Sequence, residues 1–460
     1  MGRLKTIYRC QSCGFGAAKF LGQCPSCESW NSLVEEVVEE ISSSSAKNRS
    51  RLLTDFSSEI VSLSDLKPEA SLRLPTGVLE LDRLLGGGLV KGQIALLAGP
   101  PGIGKSTIVL QAAALLSEAG HKVLYVSGEE SLDQISNRAK RLNVAKSRLS
   151  LLAETDLTKI IAALESLNPE VLVLDSIQTV YHPELDSSPG TVVQVRECAA
   201  QILRFSKNKG ISVFLLGHVT KDGSVAGPRV LEHLVDTVLY FDSERQDVFR
   251  VLRAQKNRFG PTDEAGFFEM SSVGLREVKS VSSLFFDSSR MEEKPGRAIS
   301  VAMEGSRPVL IEVQSLVVST KYPLPRRMAT GLDLNRVLVL LASMEKHLRL
   351  RLEDKDVFLN LAGGVKISDP ALDLAVCASV LSSAYDAPVP KDMAIVGEVS
   401  LLGDIGSVPR ADQRLKEAAK MGFKKALMPG GKEKGDWPSS VQAIGVSDLK
   451  QASSAIFGGK

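Results

Sequence analysis

The stretch AGPPGIGKST, residues 98–107, limits what this chain can fold into more than any other. Gly99, Pro100, Pro101, Gly102, Ile103, Gly104, Lys105 and Ser106 fit the spacing GxxxxGK[ST], and Thr107 follows. The motif comes directly after an apolar run, QIALLA, and opens a helix-like stretch, KSTIVLQAAALLSEAG. In that order of strand, glycine-rich turn and helix, backbone N–H groups and the positive end of the helix dipole face the same point. Lys105 is then placed for β- and γ-phosphates and Ser106 for Mg2+. The expected ligand is a nucleoside triphosphate with Mg2+, cradled by residues 99–107.

Further short apolar runs, KVLYVSG, EVLVLD and ISVFLLG, alternate with helical stretches such as TVVQVRECAAQILRFSKNKG. Runs of this kind read as buried parallel strands, so the fold class is α/β with helices on both faces of a sheet. Asp175 ends EVLVLD, where a carboxylate would hold Mg2+ through water; its other reading is a strand-end cap. Glu129 and Glu130 follow KVLYVS, at the end of the strand where α/β sheets bind ligands. Glu129 is the candidate for polarising an attacking water, with Glu130 the alternative.

Four of the six cysteines stand near the start, in YRCQSCGFGAAKFLGQCPSCESW. Cys10, Cys13, Cys24 and Cys27 make CxxC-x10-CxxC, a set that fits tetrahedral Zn2+ and closes its shell. So small a head has little core, and metal binding would supply its folding energy. The alternative, redox CxxC pairs, lacks the strand-to-helix context such motifs have. Cys198 and Cys377 lie on apolar helical faces and read as buried bystanders.

The net charge of +2 excludes a globally basic chain, so any nucleic-acid surface must be local. No apolar run reaches the ~20 residues that span a bilayer. The N-terminus lacks the apolar core of a signal peptide, and the expected location is cytoplasmic. The chain divides into a four-Cys head (1–38), a serine-rich linker (39–62), an ATPase block (63–278), a connector (279–296) and a second α/β block (297–460).

PTGVLELDRLLGGGLVKGQIALLAGPPGIGKST resembles the RecA-type ATPase core. With the four-Cys head, GHVTKDGSVAGPRVLEHLVDTVLYF and KNRFG in this order, the whole chain resembles the RadA (Sms) family of bacterial DNA repair proteins. The resemblance implies a homo-oligomer, a hexameric ring with ATP between subunits. Lys256 and Arg258 of KNRFG would then reach the γ-phosphate held by the neighbour; they alternate on a strand-like stretch and would point one way. It also implies that His218 senses the γ-phosphate and passes its state to VTKDGSVAGPRV, where Lys221 and Arg229 are candidates for DNA contact. The implied activity is DNA-dependent ATP hydrolysis on single-stranded and branched DNA, with branch migration of recombination intermediates alongside the RecA recombinase.

SDPALDLAVCASVLSSA, VGEVSLLGDIG and RLKEAAKMGFKKALMP resemble the proteolytic domain of Lon. Where that family has its serine nucleophile and lysine base, this chain has Ala371 and Arg414. A guanidinium does not deprotonate in a protein, and Ser368 and Lys416 are off register, so an inactive scaffold is expected. Lys346, Arg349 and Arg351 are candidates for a local basic surface there. Two other readings share some of these features: a RecA-like signalling ATPase or kinase that does not act on DNA, and an ATP-dependent Lon-like protease.

Overall fold

A computed structural model of the chain describes residues 4–10, 15–25, 29–39, 73–218, 229–241, 249–278, 281–282, 286, 292–364, 366–431 and 437–458. Cys13, Cys27, Lys221, and residues 40–62 of the expected linker lie outside the described residues. The chain divides into two compact units, Met1–Glu277 and Val278–Lys460.

In the first unit the head is a three-stranded sheet of β1 (Leu4–Cys10), β2 (Gly16–Ala17) and β3 (Leu33–Glu39), with β1 in the middle. Cys10 and Cys24 are buried together with Leu33. Next comes a two-stranded pair, β4 (Arg73–Leu74) and β5 (Leu89–Val90), flanking helix α1 (Leu79–Leu85).

The main sheet has nine strands. Its parallel part contains β6 (Ile94–Gly99), β7 (Val123–Ser127), β8 (Ser150–Ala153), β9 (Val171–Asp175) and β10 (Ser212–His218), followed by β11 (Thr237–Phe241). An antiparallel edge of β12 (Phe249–Asn257), β13 (Ala265–Ser271) and β14 (Gly274–Glu277) completes it, in the order β14-β13-β12-β11-β6-β10-β9-β7-β8. The pleat sends alternate residues to opposite faces. Ala95, Leu97, Tyr125, Val173 and Phe214 enter one core with α1 and α2 (Lys105–Glu118). Leu96, Leu124, Leu172, Val213 and Leu215 enter the other, with α4 (Leu157–Leu167) and α5 (Val192–Lys209). Both faces are covered, which is why β6, β7 and β9 are continuous apolar runs and not alternating ones. Helix α3 (Leu132–Arg141) begins with a capping box between Ser131 and Gln134.

The second unit is a seven-stranded sheet in the order β17-β18-β16-β15-β19-β22-β23. Its strands are β15 (Arg297–Glu304), β16 (Arg307–Ser319), β17 (Arg327–Thr330), β18 (Lys355–Leu361), β19 (Met393–Ile395), β22 (Lys425–Pro429) and β23 (Gln442–Val446). A separate hairpin joins β20 (Glu398–Val399) to β21 (Ile405–Gly406). The mostly buried helix Asp373–Ala384 lies on β15 and β16. In the segment expected as a connector, Ser282 and Phe286 are buried in this unit: the Ser282 hydroxyl donates to Glu417 at 2.6 Å, and the Phe286 ring packs at a tilt against Phe423.

Candidate nucleotide site

The loop between β6 and α2 depends on glycine at two positions. Gly99 (φ +156°) would set a Cβ 2.9 Å from Cβ of Phe241, and Gly104 (φ +117°) would set one 2.9 Å from Leu275 Cδ1. Gly104 is also the N-cap of α2, and no side chain takes the first-turn N–H groups. Those donors therefore face the loop, ready for an anion. Ser106 and Thr107 follow Lys105 in the first turn of α2.

Four side chains from the C-terminal ends of adjacent strands and the start of α2 meet here. The Lys105 ammonium donates to the carbonyls of Gly99 (2.8 Å) and Pro100 (2.9 Å) and lies 3.1 Å from His218 Nδ1. An ammonium can only donate, so Nδ1 is the acceptor and Nε2 carries the proton. Nε2 in turn donates to Glu129 at 3.1 Å, on the same oxygen that receives the Ser176 hydroxyl at 2.5 Å. The His218 hydrogen bond is the largest influence holding Glu129 down at about 2. Burial lowers Lys105 to about 8, partly offset by the charges of Asp175 and Glu129.

Asp175 is buried, and one carboxylate oxygen accepts from the Tyr125 hydroxyl at 2.6 Å. A serine hydroxyl and a carboxylate are hard oxygen donors of the kind Mg2+ takes, so Ser106 and Asp175 fit that ion. Glu130 is turned away: its carboxylate is ion-paired with Arg138 of α3, while its backbone is pinned by Ser127. Burial raises its affinity for a proton. Tyr125, Arg138 and Ser176 carry no spacing signal in the sequence, because strand pairing and the α3 position bring them in.

The structure does not bring Lys256 and Arg258 to this cluster in the same chain. Thr237 pairs with both Ala95 and Asn257, so the end of β12 is level with the beginning of β6, four residues before Gly99. At strand spacing that is about 13 Å from the phosphate loop, at the opposite end of the sheet. Lys256 is on β12 but Arg258 lies beyond its end, so the two do not share a strand as expected. Instead a tight turn presents them together. Asn257 holds that turn: its amide donates to the Leu84 carbonyl at 2.9 Å and its oxygen receives Phe259 N–H at 3.0 Å. Arg73 donates to the Phe259 carbonyl at 2.6 Å, and a Cβ on Gly260 would stand 2.7 Å from the Asn257 amide nitrogen and 3.0 Å from Gly86 Cα. In KNRFG, then, Asn, Phe and Gly build the turn and the two cations project from it.

Cys10 and Cys24 are buried in one cluster, as two members of a four-thiolate site require. The segment 219–228 lies outside the described residues, and of Arg229 only the backbone position, opening α6 (Arg229–Glu232), is described. Cys198 and Cys377 are buried; burial raises the Cys198 thiol to about 12 and pushes Cys377 higher still.

In the second unit Ala371 and Arg414 are both buried. The Arg414 guanidinium donates to Asp369 and to the Val301 carbonyl, each at 2.6 Å, and to the Pro409 carbonyl at 3.1 Å. Asp369 also accepts N–H bonds from Met303 and Ala371. The place of a catalytic dyad is thus filled by a methyl group and a neutralised ion pair. Ser368, Lys416, Lys346, Arg349 and Arg351 are exposed. Among the described residues, no helix is long and apolar enough to cross a membrane.

Comparison with known proteins covers every block. Residues 8–35 match a family model described as a rubredoxin metal binding domain, residues 66–224 an AAA domain, and residues 335–432 subunit ChlI of Mg-chelatase. The DNA repair protein RadA of Bacillus subtilis (strain 168) is 45% identical over the full length of both chains. That of Listeria monocytogenes is 46% identical over 97% of each, and that of Pseudomonas aeruginosa 46% identical over 99% of this chain and 100% of its own. Among solved structures, a crystal structure of the RadB recombinase aligns with 45% of this chain and 100% of its own, at 25% identity and a TM-score of 0.35.

Proposed function

The chain belongs to the RadA family of DNA repair proteins, and from that premise we propose that it is a DNA-dependent ATPase that moves or branch-migrates recombination intermediates alongside the RecA recombinase. It works in the cytoplasm as a homo-oligomeric ring, hexameric by family resemblance, on single-stranded and branched DNA. The observation that carries this reading is the split of the cations. Lys105, Glu129, Asp175 and His218 converge at one end of the sheet, and Lys256 and Arg258 project from the other. Such a chain holds half of a hydrolytic site at each end, and head-to-tail packing of identical subunits would complete it.

In this reading the α2 N–H groups, residues 99–107 and Lys105 bind the phosphates, and Lys105 leaves the Gly99 and Pro100 carbonyls to do so. Mg2+, held by Ser106 and through water by Asp175, would supply charge neutralisation at the phosphates. Glu129 takes the proton of the attacking water; Glu130, already paired with Arg138, does not compete. His218 loses its Lys105 partner when a γ-phosphate draws that ammonium away, and thereby reports occupancy to the segment after it. Lys256 and Arg258 of the neighbour stabilise the charge that develops. Zn2+ on Cys10, Cys13, Cys24 and Cys27 would hold the head together. The second unit has no nucleophile at Ala371 and acts as a scaffold.

ATP hydrolysis with and without single-stranded DNA tests the proposal, comparing the parent with Lys105→Ala and Lys256→Ala. DNA should stimulate the parent; Lys105→Ala should lose turnover, and Lys256→Ala, which removes one of the two cations lent to the neighbour, should chiefly lose the DNA-stimulated part of hydrolysis while still binding ATP. Equal parent rates with and without DNA across a range of salt would overturn the motor reading.

A further inference from the structure

The two projecting cations share a mount that neither the phosphate motif nor KNRFG includes. Asp236, 2% exposed, follows α6 and precedes β11. One of its carboxylate oxygens receives the Ile94 N–H at 3.1 Å, and its own N–H donates to the Ile94 carbonyl at 3.0 Å. Its carbonyl accepts Arg258 N–H at 3.1 Å. The other carboxylate oxygen is shared by Lys207 Nζ at 3.0 Å and Arg258 Nη1 at 3.4 Å. Lys256, alongside, donates to the Glu232 carbonyl at 2.6 Å, at the end of α6. Asp236 thus ties Arg258 to the first residue of β6, the strand whose far end opens the phosphate loop.

The two cations on that oxygen differ. Lys207 is closer and its side chain is 25% exposed, whereas Arg258 is longer-bonded and 59% exposed. A buried carboxylate stripped of every counter-charge is strongly unfavourable. Arg258 can leave Asp236 at little cost only because Lys207 stays behind.

We propose that Asp236 and Lys207 are positioning residues for the trans-acting cations: Asp236 aims Arg258, and Lys207 is the resident counter-ion that lets Arg258 depart for the neighbour's phosphate. This rests on the trans reading above. Neither residue touches nucleotide. Each acts through Arg258, so each belongs to the subunit that lends the cation and not to the one that holds the ATP.

Mixing experiments separate these assignments. Asp236→Asn and Lys207→Met, each as full-length protein, should bind a fluorescent ATP analogue within about twofold of the parent. Each should lose about 10–100-fold in hydrolysis, the range for a misplaced catalytic group. Mixed with Lys105→Ala, whose pocket is dead but whose cations are intact, each should recover activity. Mixed with Arg258→Ala, whose pocket is intact, neither should. If Lys105→Ala and Arg258→Ala do not rescue each other, the trans reading falls and this inference falls with it. If they do, but Asp236→Asn and Lys207→Met are not rescued by Lys105→Ala or hydrolyse at the parent rate, the inference alone is overturned. Lys207→Met keeps the test decisive if Asp236→Asn fails to fold, since it removes a partly exposed side chain.

Discussion

Among the described residues Lys105 and Arg414 are the two cations with almost no exposed surface, 3% and 1%, and they are held in opposite ways. Lys105 rests on two backbone carbonyls and an imidazole, all neutral, and burial lowers its proton affinity. Arg414 is neutralised by Asp369 and has two carbonyls besides. A buried cation with neutral ligands is under-compensated and will exchange them for a phosphate. A buried cation paired with a carboxylate has nothing to gain by moving. The first unit keeps its charge in reserve for a ligand, and the second spends its charge on its own structure.

The contrast breaks most visibly at the two cations themselves. Lys105→Ala should abolish hydrolysis, by about 10³-fold or more if it follows other phosphate-clamping groups, with no loss of thermal stability. Arg414→Met should do the reverse. It leaves the largely covered Asp369 without its counter-charge, held only by the Met303 and Ala371 N–H groups, at a cost of up to about 3–5 kcal/mol to the second unit, readable by denaturant titration, while nucleotide affinity is unchanged. A stable Arg414→Met protein would show that the pair is not what holds that region.

A second comparison sits within the first unit. Glu129→Gln should lower hydrolysis by about 10²-fold or more, as for loss of a general base, and Glu130→Gln by no more than about twofold. Comparable losses would mean that the Arg138 pair opens during turnover. A smaller effect concerns acid. Glu129 binds its proton near 2 in the folded chain against an ordinary 4.5, so the folded state favours the carboxylate. That contribution is complete above about pH 4.5 and is lost as pH falls toward about 2. The stability difference between the parent and Glu129→Gln should therefore shrink between pH 5 and 3 in urea titrations. It should be modest, because the side chain is well solvated. The smallest effect expected is none: Ala371→Ser combined with Arg414→Lys should not degrade casein, since a lysine facing Asp369 would stay protonated and could not act as a base. Proteolysis by that variant would make the second unit a dormant enzyme and not a scaffold.

The alternation of apolar runs and helices, and the strand-loop-helix order about Lys105, were legible because burial on both faces of a parallel sheet leaves continuous Val, Ile and Leu in the text. Asp175, Glu129 and His218 were legible as strand-end polar residues. Tyr125 and Ser176 were not: a buried tyrosine in KVLYVS reads as core until β9 brings Asp175 beside it. The expected shared strand for Lys256 and Arg258 failed at a single residue, because Asn257 ends β12 and turns the chain.

The sequence alone determined the chemistry available. The spacing of Gly99, Gly104, Lys105 and Ser106 is local, and backbone geometry over eight residues suffices to make a phosphate cradle. Ala371 and Arg414 remove a dyad whatever surrounds them. Only tertiary structure decided which glutamate faces the cradle, and which end of the sheet each cation occupies. Those depend on partners up to 186 residues apart in sequence, such as Arg73 and Phe259. Charge and hydrogen bonding act through space, and local spacing does not encode a contact that the sheet makes by folding distant strands side by side.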